Sequence, residues 1–187
     1  MDNTTEKIIK NYFRDLSSTL SEIDISGFAD FKDSLEKARD NGNNIYVFGN
    51  GGSGSTASHM VCDMVKGCSY KKDKKFKIIC LNDNIPTILA YSNDVSYDVV
   101  FEEQLKNFLK PNDVVIGISG SGNSTNIINA IRYANNNGAV TIGMSGFNGG
   151  KLKEISNINI HAPINDMQIS EDIHLITIHI LYKLFTC

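Results

Sequence analysis

Two apolar runs in this chain each end in a loop of glycine and serine that opens a helical pattern, and this repeated hand-over restricts the fold more than any other feature. Ile45-Tyr46-Val47-Phe48 leads into Gly49-Asn50-Gly51-Gly52-Ser53-Gly54-Ser55, and Val114-Val115-Ile116-Gly117-Ile118 leads into Ser119-Gly120-Ser121-Gly122-Asn123-Ser124. A helix start presents unpaired main-chain amides, its dipole adds partial positive charge, and serine hydroxyls supply further donors without bulk. Both loops therefore read as cradles for an anion, with phosphate the leading candidate. Tight turns alone would also favour glycine and serine, but two such turns at equivalent strand ends favour the phosphate.

The alternation continues along the chain. Apolar patterning predicts strands at 45–48, 77–81, 113–118 and 139–144, with a short one at 158–160. Helical spacing predicts helices at 53–66 and 123–137, stretches reaching 108, a turn at Gly149-Gly150-Lys151-Leu152 and a last helix from about Gln168. Strands joined by crossover helices imply an α/β fold whose parallel sheet is covered on both faces, with ligands at the carboxyl ends of the strands. Ahead of this lie two helices, one carrying Ile8, Ile9, Tyr12, Phe13, Leu16 and Leu20, the other Phe28, Phe31, Leu35 and Ala38, with Ser26-Gly27 expected to break them.

Size and charge narrow the class. The 187 residues, 41% of them hydrophobic, suffice for one compact domain with a real core. A net charge of −3 argues against a nucleic-acid or anionic-membrane binder, which needs a basic face. The basic stretch Lys71-Lys72-Asp73-Lys74-Lys75 reads as a solvated loop. The cysteines Cys62, Cys68, Cys80 and Cys187 form no CxxC pair, the amino terminus is polar where a secretory signal would be apolar, and no run is suited to a bilayer. A reduced, cytoplasmic protein is expected.

Gly49, Gly51 and Gly54 fit the G-x-G-x-x-G spacing of dinucleotide sites. Such a site also wants an acidic residue about 20 positions on, at the end of the next strand, where this chain has its lysine run. Phosphate binding without a dinucleotide is the better reading. His59 and Asp63, four apart on a helix, share a face and suit one metal ion or one proton relay. On the last helix Glu171 and His179, eight apart, stand about two turns from each other on one side. His174 is expected as a hydrogen-bonded core residue, and His161, beside Ala162-Pro163, carries no assigned role. Imidazole and carboxylate together suit zinc or a similar divalent ion.

G-N-G-G-S followed by His59 and Asp63, Asn93-Asp94 within Y-S-N-D-x-x-Y-D-V-V-F, S-G-S-G-N-S, G-G-K-L and E-D-I-H-L-I-T-I-H-I-L together resemble the sedoheptulose-7-phosphate (phosphoheptose) isomerases of the SIS, or sugar isomerase, superfamily. The resemblance spans nearly the whole chain. It implies a single SIS domain over 1–187, a three-layer, flavodoxin-like doubly wound sandwich, with residues 1–43 a helical extension used in oligomerisation. It implies one zinc per subunit on His59, Asp63, Glu171 and His179, a sugar phosphate on Ser119, Gly120, Ser121 and Ser124, and further substrate contacts at Asn50, Gly51, Gly52, Ser53, Asn93, Asp94 and Glu171. The family carries glutamate where this chain has Asp63, and glutamine at a place that Glu171 fills by register and Gln168 by residue type.

The reaction so implied moves a proton between the first two carbons of an open-chain ketose phosphate, most simply sedoheptulose 7-phosphate to D-glycero-D-manno-heptose 7-phosphate for a lipopolysaccharide or capsule. Asp63 would take the proton and His179 return it, with the metal as Lewis acid toward the carbonyl. A homotetramer with sites at subunit interfaces is the expected assembly, with no nucleic-acid or membrane partner. The alternatives are an isomerase of another phosphosugar and a noncatalytic phosphosugar sensor.

Overall fold

The computed structural model describes residues 2–187. Five parallel strands form one sheet in the order β2-β1-β3-β4-β5, with β1 at Asn44–Gly49, β2 at Lys77–Cys80, β3 at Val114–Ser119, β4 at Val140–Ser145 and β5 at Ile158–His161. Eight helices flank it: α1 (Asn3–Glu22), α2 (Ser26–Asn41), α3 (Gly52–Cys62), α4 (Ile85–Asp94), α5 (Glu102–Phe108), α6 (Thr125–Asn136), α7 (Gly150–Ile155) and α8 (Met167–Thr186). This is the expected three-layer α/β sandwich.

Strand periodicity sorts the side chains into two cores. Ile45 and Val47 of β1, with Val114, Ile116 and Ile118 of β3, face α2, α3 and α8. Tyr46, Phe48 and Val115 point the other way, into a core with Phe101, Leu105, Ile127, Ile131 and Leu152 from the α5, α6 and α7 side. Gly117 and Gly143 are register partners in the sheet. A Cβ on Gly117 would come within 2.9 Å of Ile127, and one on Gly143 would press on Leu152 and Ser156, so the bare backbone here lets α6 and α7 sit close. Outside these layers, α1 lays Tyr12 and Leu16 against Ile169 and Ile173 of α8.

Ser26-Gly27 opens α2 instead of separating the helices; the break lies at Ile23–Ile25, where the chain turns extended at Ile23 and Asp24 caps the Ser26 amide at 2.9 Å. The helix expected at 53–66 is α3 followed by a π-helical turn at Asp63–Gly67, whose wider winding brings the Cys68 amide onto the Asp63 carbonyl at 3.0 Å. Residues 71–75 are exposed, and Cys68 and Cys80 are buried while Cys62 and Cys187 are not. No helix among the described residues is long and apolar enough to cross a membrane.

β1 hands over to α3 on one face and β3 to α6 on the other, so the two adjacent strands part company at their carboxyl ends. Such a switch point opens a crevice. The two glycine- and serine-rich loops form its walls.

Candidate active site

The crevice is a cavity of about 300 Å³ lined by Asn50, Gly51, Gly52, Ser53, Ser119, Gly120, Ser121 and Ser124, closed by Met167 and Glu171 of α8. Its walls are tied across the switch point. The side-chain amides of Asn50 and Asn126 bond each other reciprocally at 2.9 and 3.0 Å, and the Tyr97 hydroxyl donates to Asn50 Oδ1 at 2.8 Å. At the end of β1, Asn82 satisfies both main-chain groups of Gly49, at 2.7 and 3.1 Å. Gly51 takes φ +54 and ψ −123, open only to glycine, which turns the chain sharply from β1 into α3.

The serine loop closes on itself. Ser119 and Ser124 hydroxyls lie 3.1 Å apart, and the Gly122 amide closes a turn onto Ser119 C=O at 2.9 Å. Gly120 has no room for a side chain because a Cβ would collide with Met167 Sδ. The first loop is different. A Cβ on Gly52 would collide with both carboxylate oxygens of Glu171, so the start of α3 already faces an anionic group supplied by the chain itself. Of the two cradles read in the sequence, the loop at 119–124 is the one that no carboxylate of the chain faces at its glycines.

α3 and α8 run in the same direction: Gly52 meets Glu171, His59 meets His179, and Gly67 meets the Tyr182 ring. Two turns beyond Gly52, His59 Nε2 lies 3.1 Å from His179 Nε2 and 3.4 Å from Asp63 Oδ2. Ligand atoms of these three residues all fall within 4.8 Å of one another. Zn–N bonds of about 2.0–2.1 Å set tetrahedral neighbours roughly 3.3 Å apart, so the trio fits a divalent cation with a position to spare. Two imidazole nitrogens facing each other also favour a shared proton or cation, since two N–H groups would repel. A cavity of about 310 Å³ opens over the trio, bordered by Cys62, Lys66, Tyr182 and Lys183.

Not every expected residue joins. Glu171 stands apart from the trio because eight residues of straight helix span about 12 Å and its carboxylate turns onto Gly52. Within one chain the candidate cation cluster is therefore three residues, and Glu171 borders the cavity of the two glycine- and serine-rich loops. Gln168 is exposed, outside both. Asn93 and Asp94 lie at the exposed end of α4, bonded to each other at 2.7 Å and absent from the cavity wall. His174 is 1% exposed beside the Ser145 main chain, but neither ring nitrogen makes a hydrogen bond; burial pushes its pKa down to about 4. The expected core role holds, and the expected partner does not. Asn126, Tyr97 and Asn82 escaped the sequence reading because their work is to join segments distant in the chain.

Residues 11–146 match the SIS domain family model. A probable phosphoheptose isomerase of Thermoplasma acidophilum is 36% identical over 172 residues, 92% of this chain and 94% of that one. The phosphoheptose isomerase of Aliarcobacter butzleri is 37% identical over 145 residues, covering 77% and 76%. Among solved structures, a phosphoheptose isomerase from Neisseria gonorrhoeae superposes with a TM-score of 0.88 over 98% of both chains at 22% identity, a likeness of fold. By the matched domain and the identity to these relatives, the chain belongs to the SIS domain family and, within it, to the phosphoheptose isomerases, and it is an isomerase.

Proposed function

We propose that this chain interconverts sedoheptulose 7-phosphate and D-glycero-D-manno-heptose 7-phosphate through an enediolate. The observation that carries the reading is the pairing along α3 and α8 of an anion pocket with an imidazole–carboxylate cluster. The two cavities open along the same helix pair, one bordered by Gly52 and Glu171 and the other by His59 and His179.

Ser119, Ser121 and Ser124 grip the phosphate, and that remote binding holds the open chain in a reactive geometry. Asp63 Oδ2 faces His59, and the other carboxylate oxygen is free to take the proton from the carbon beside the carbonyl. His179 returns a proton to the adjacent carbon or oxygen. His59, Asp63 and His179 would hold zinc, one per subunit, which when bound supplies Lewis-acid polarisation of the substrate carbonyl. Asn50, fixed by Asn126 and Tyr97, and Glu171 present groups to the sugar hydroxyls. We assign the working protein a homotetramer in which a neighbouring subunit borders the site, with the helical extension 1–43 of its single domain in the contact; Asn93 and Asp94 would meet substrate only in that assembly.

The test is incubation with sedoheptulose 7-phosphate in deuterated water with added zinc, followed by NMR. Aldose formation with carbon-bound deuterium is expected. Binding without exchange would make the chain a phosphosugar sensor, and exchange confined to a shorter phosphosugar would overturn the heptose assignment.

A further inference from the structure

The loop at 119–124 does not hold its shape alone. The segment between β4 and α7 braces it: Gly146 N–H donates to Gly120 C=O at 2.8 Å, Leu152 N–H to Gly122 C=O at 2.9 Å, and Lys151 N–H to Asn123 Oδ1 at 3.1 Å. Gly122, at φ +67, lies so close to the Gly149 carbonyl that a Cβ would collide with it. Each peptide is planar, with its C=O and N–H pointing opposite ways. Turning the Gly120 carbonyl toward the brace therefore turns the Ser121 amide away from it. The brace sets which donors the loop can offer an anion.

The brace is itself held against a local preference. Phe147 sits at φ +50, a left-handed conformation unfavourable for a residue with a Cβ. Two hydrogen bonds keep it there. Its N–H donates to Ile164 C=O at 3.0 Å, and its carbonyl lies 3.0 Å from His161 Nε2. On the far side of the ring, Lys153 Nζ is 2.9 Å from His161 Nδ1. An ammonium can only donate. Nδ1 is thus the acceptor, and Nε2 carries the hydrogen given to Phe147. Neutral imidazole in one tautomer satisfies both neighbours, and burial together with the Lys153 charge favours that neutral form against the pull of the Phe147 carbonyl. His161 ends β5, in register with Ser145, and lines neither the phosphate cavity nor the cation cavity.

We infer that His161 is a positioning residue: its ring, oriented by Lys153, latches the Phe147 carbonyl and so keeps the phosphate loop in its anion-binding shape. The inference rests on the phosphate reading of that loop given above. The ring reaches the serine loop only through main-chain groups of the segment between β4 and α7.

The experiment measures inorganic phosphate binding by calorimetry and KM and kcat for the sugar phosphate, in zinc-loaded full-length protein. Losing one such hydrogen bond corresponds to about a tenfold rise in phosphate Kd and in KM for His161→Ala, with kcat changed by less than about twofold. His161→Gln, whose amide both donates and accepts, should stay within about threefold of wild type. Phe147→Gly makes the left-handed conformation inexpensive, so on that background His161→Ala should weaken phosphate by less than about threefold. Lys153→Met, which removes only the orienting ammonium, supplies the comparison if His161→Ala does not fold, and should weaken phosphate by about threefold. Wild-type phosphate affinity in His161→Ala or, where that variant does not fold, in Lys153→Met overturns the inference, as do equal losses in the alanine and glutamine variants or an undiminished loss on the Phe147→Gly background. Failure of the wild-type protein to bind phosphate removes the loop reading and the inference with it, whereas binding that His161→Ala leaves untouched removes the inference alone.

Discussion

His174 and His179 are five residues apart on α8 and meet opposite surroundings. His174 is enclosed, with its pKa pushed from 6.5 to about 4 by burial. The unfolded chain accepts a proton there from about pH 6.5 downward while the folded chain resists, so stability is intact above that pH and falls as the pH drops toward 4. The full effect is on the order of 3 kcal/mol, and His174→Gln should flatten this acid limb in urea unfolding compared between pH 4.5 and pH 7. An unchanged limb would place the titration elsewhere. His179 instead lies at the surface beside His59. Given the proposed proton transfers, Asp63→Asn and His179→Gln should each lower kcat by about 10²–10⁴-fold with the fold intact by circular dichroism. Full turnover in either would remove that residue from the chemistry.

At the scale of elements, the approach of α6 to the sheet hangs on Gly117. Gly117→Ala puts a methyl group within 2.9 Å of Ile127 and 3.2 Å of Ile131. Overpacking of this kind costs about 1–3 kcal/mol, and a lower urea midpoint with an unchanged circular dichroism spectrum is the expected outcome; a neutral result would mean that α6 yields easily. The strands and crossover helices were legible in the sequence because apolar runs of period two and of period 3.6 leave strong local signatures, and the two loops because glycine and serine mark a strand-to-helix turn. Pairings between elements left no such mark. Nothing local distinguishes Glu171 turned onto Gly52 from Glu171 turned toward His179, since both lie on one helix face and only the placement of α3 decides. Asn126 and Asn82 look like ordinary helix and loop residues until β1 lies between β3 and β2. The π-helical turn after α3 was equally hidden, and it sets Gly67 against the Tyr182 ring, a contact no local pattern announces.

For the molecule as a whole, α1 shows two apolar sides. Tyr12 and Leu16 pack on α8, whereas Ile8, Ile9 and Phe13 are 64%, 41% and 66% exposed. In the assembly proposed above this outer side is buried between subunits. Ile9→Glu with Phe13→Asp should shift the elution volume toward the monomer in size-exclusion chromatography while leaving the helical content unchanged, and an unaltered oligomer would put the contact on another surface. The parallel run of α3 and α8 has its own outcome for selectivity. Two rods lying side by side act as a gauge whose graduations are helical turns, so the gap between the Gly52–Glu171 contact and the imidazole pair changes only in coarse steps. Inserting a single residue between Gly52 and His59 would swing the imidazole about 100° off the facing helix, so under the proposed function a shorter or longer sugar would be reached more readily by moving the serine loop, which lies on neither rod, than by moving the imidazole pair.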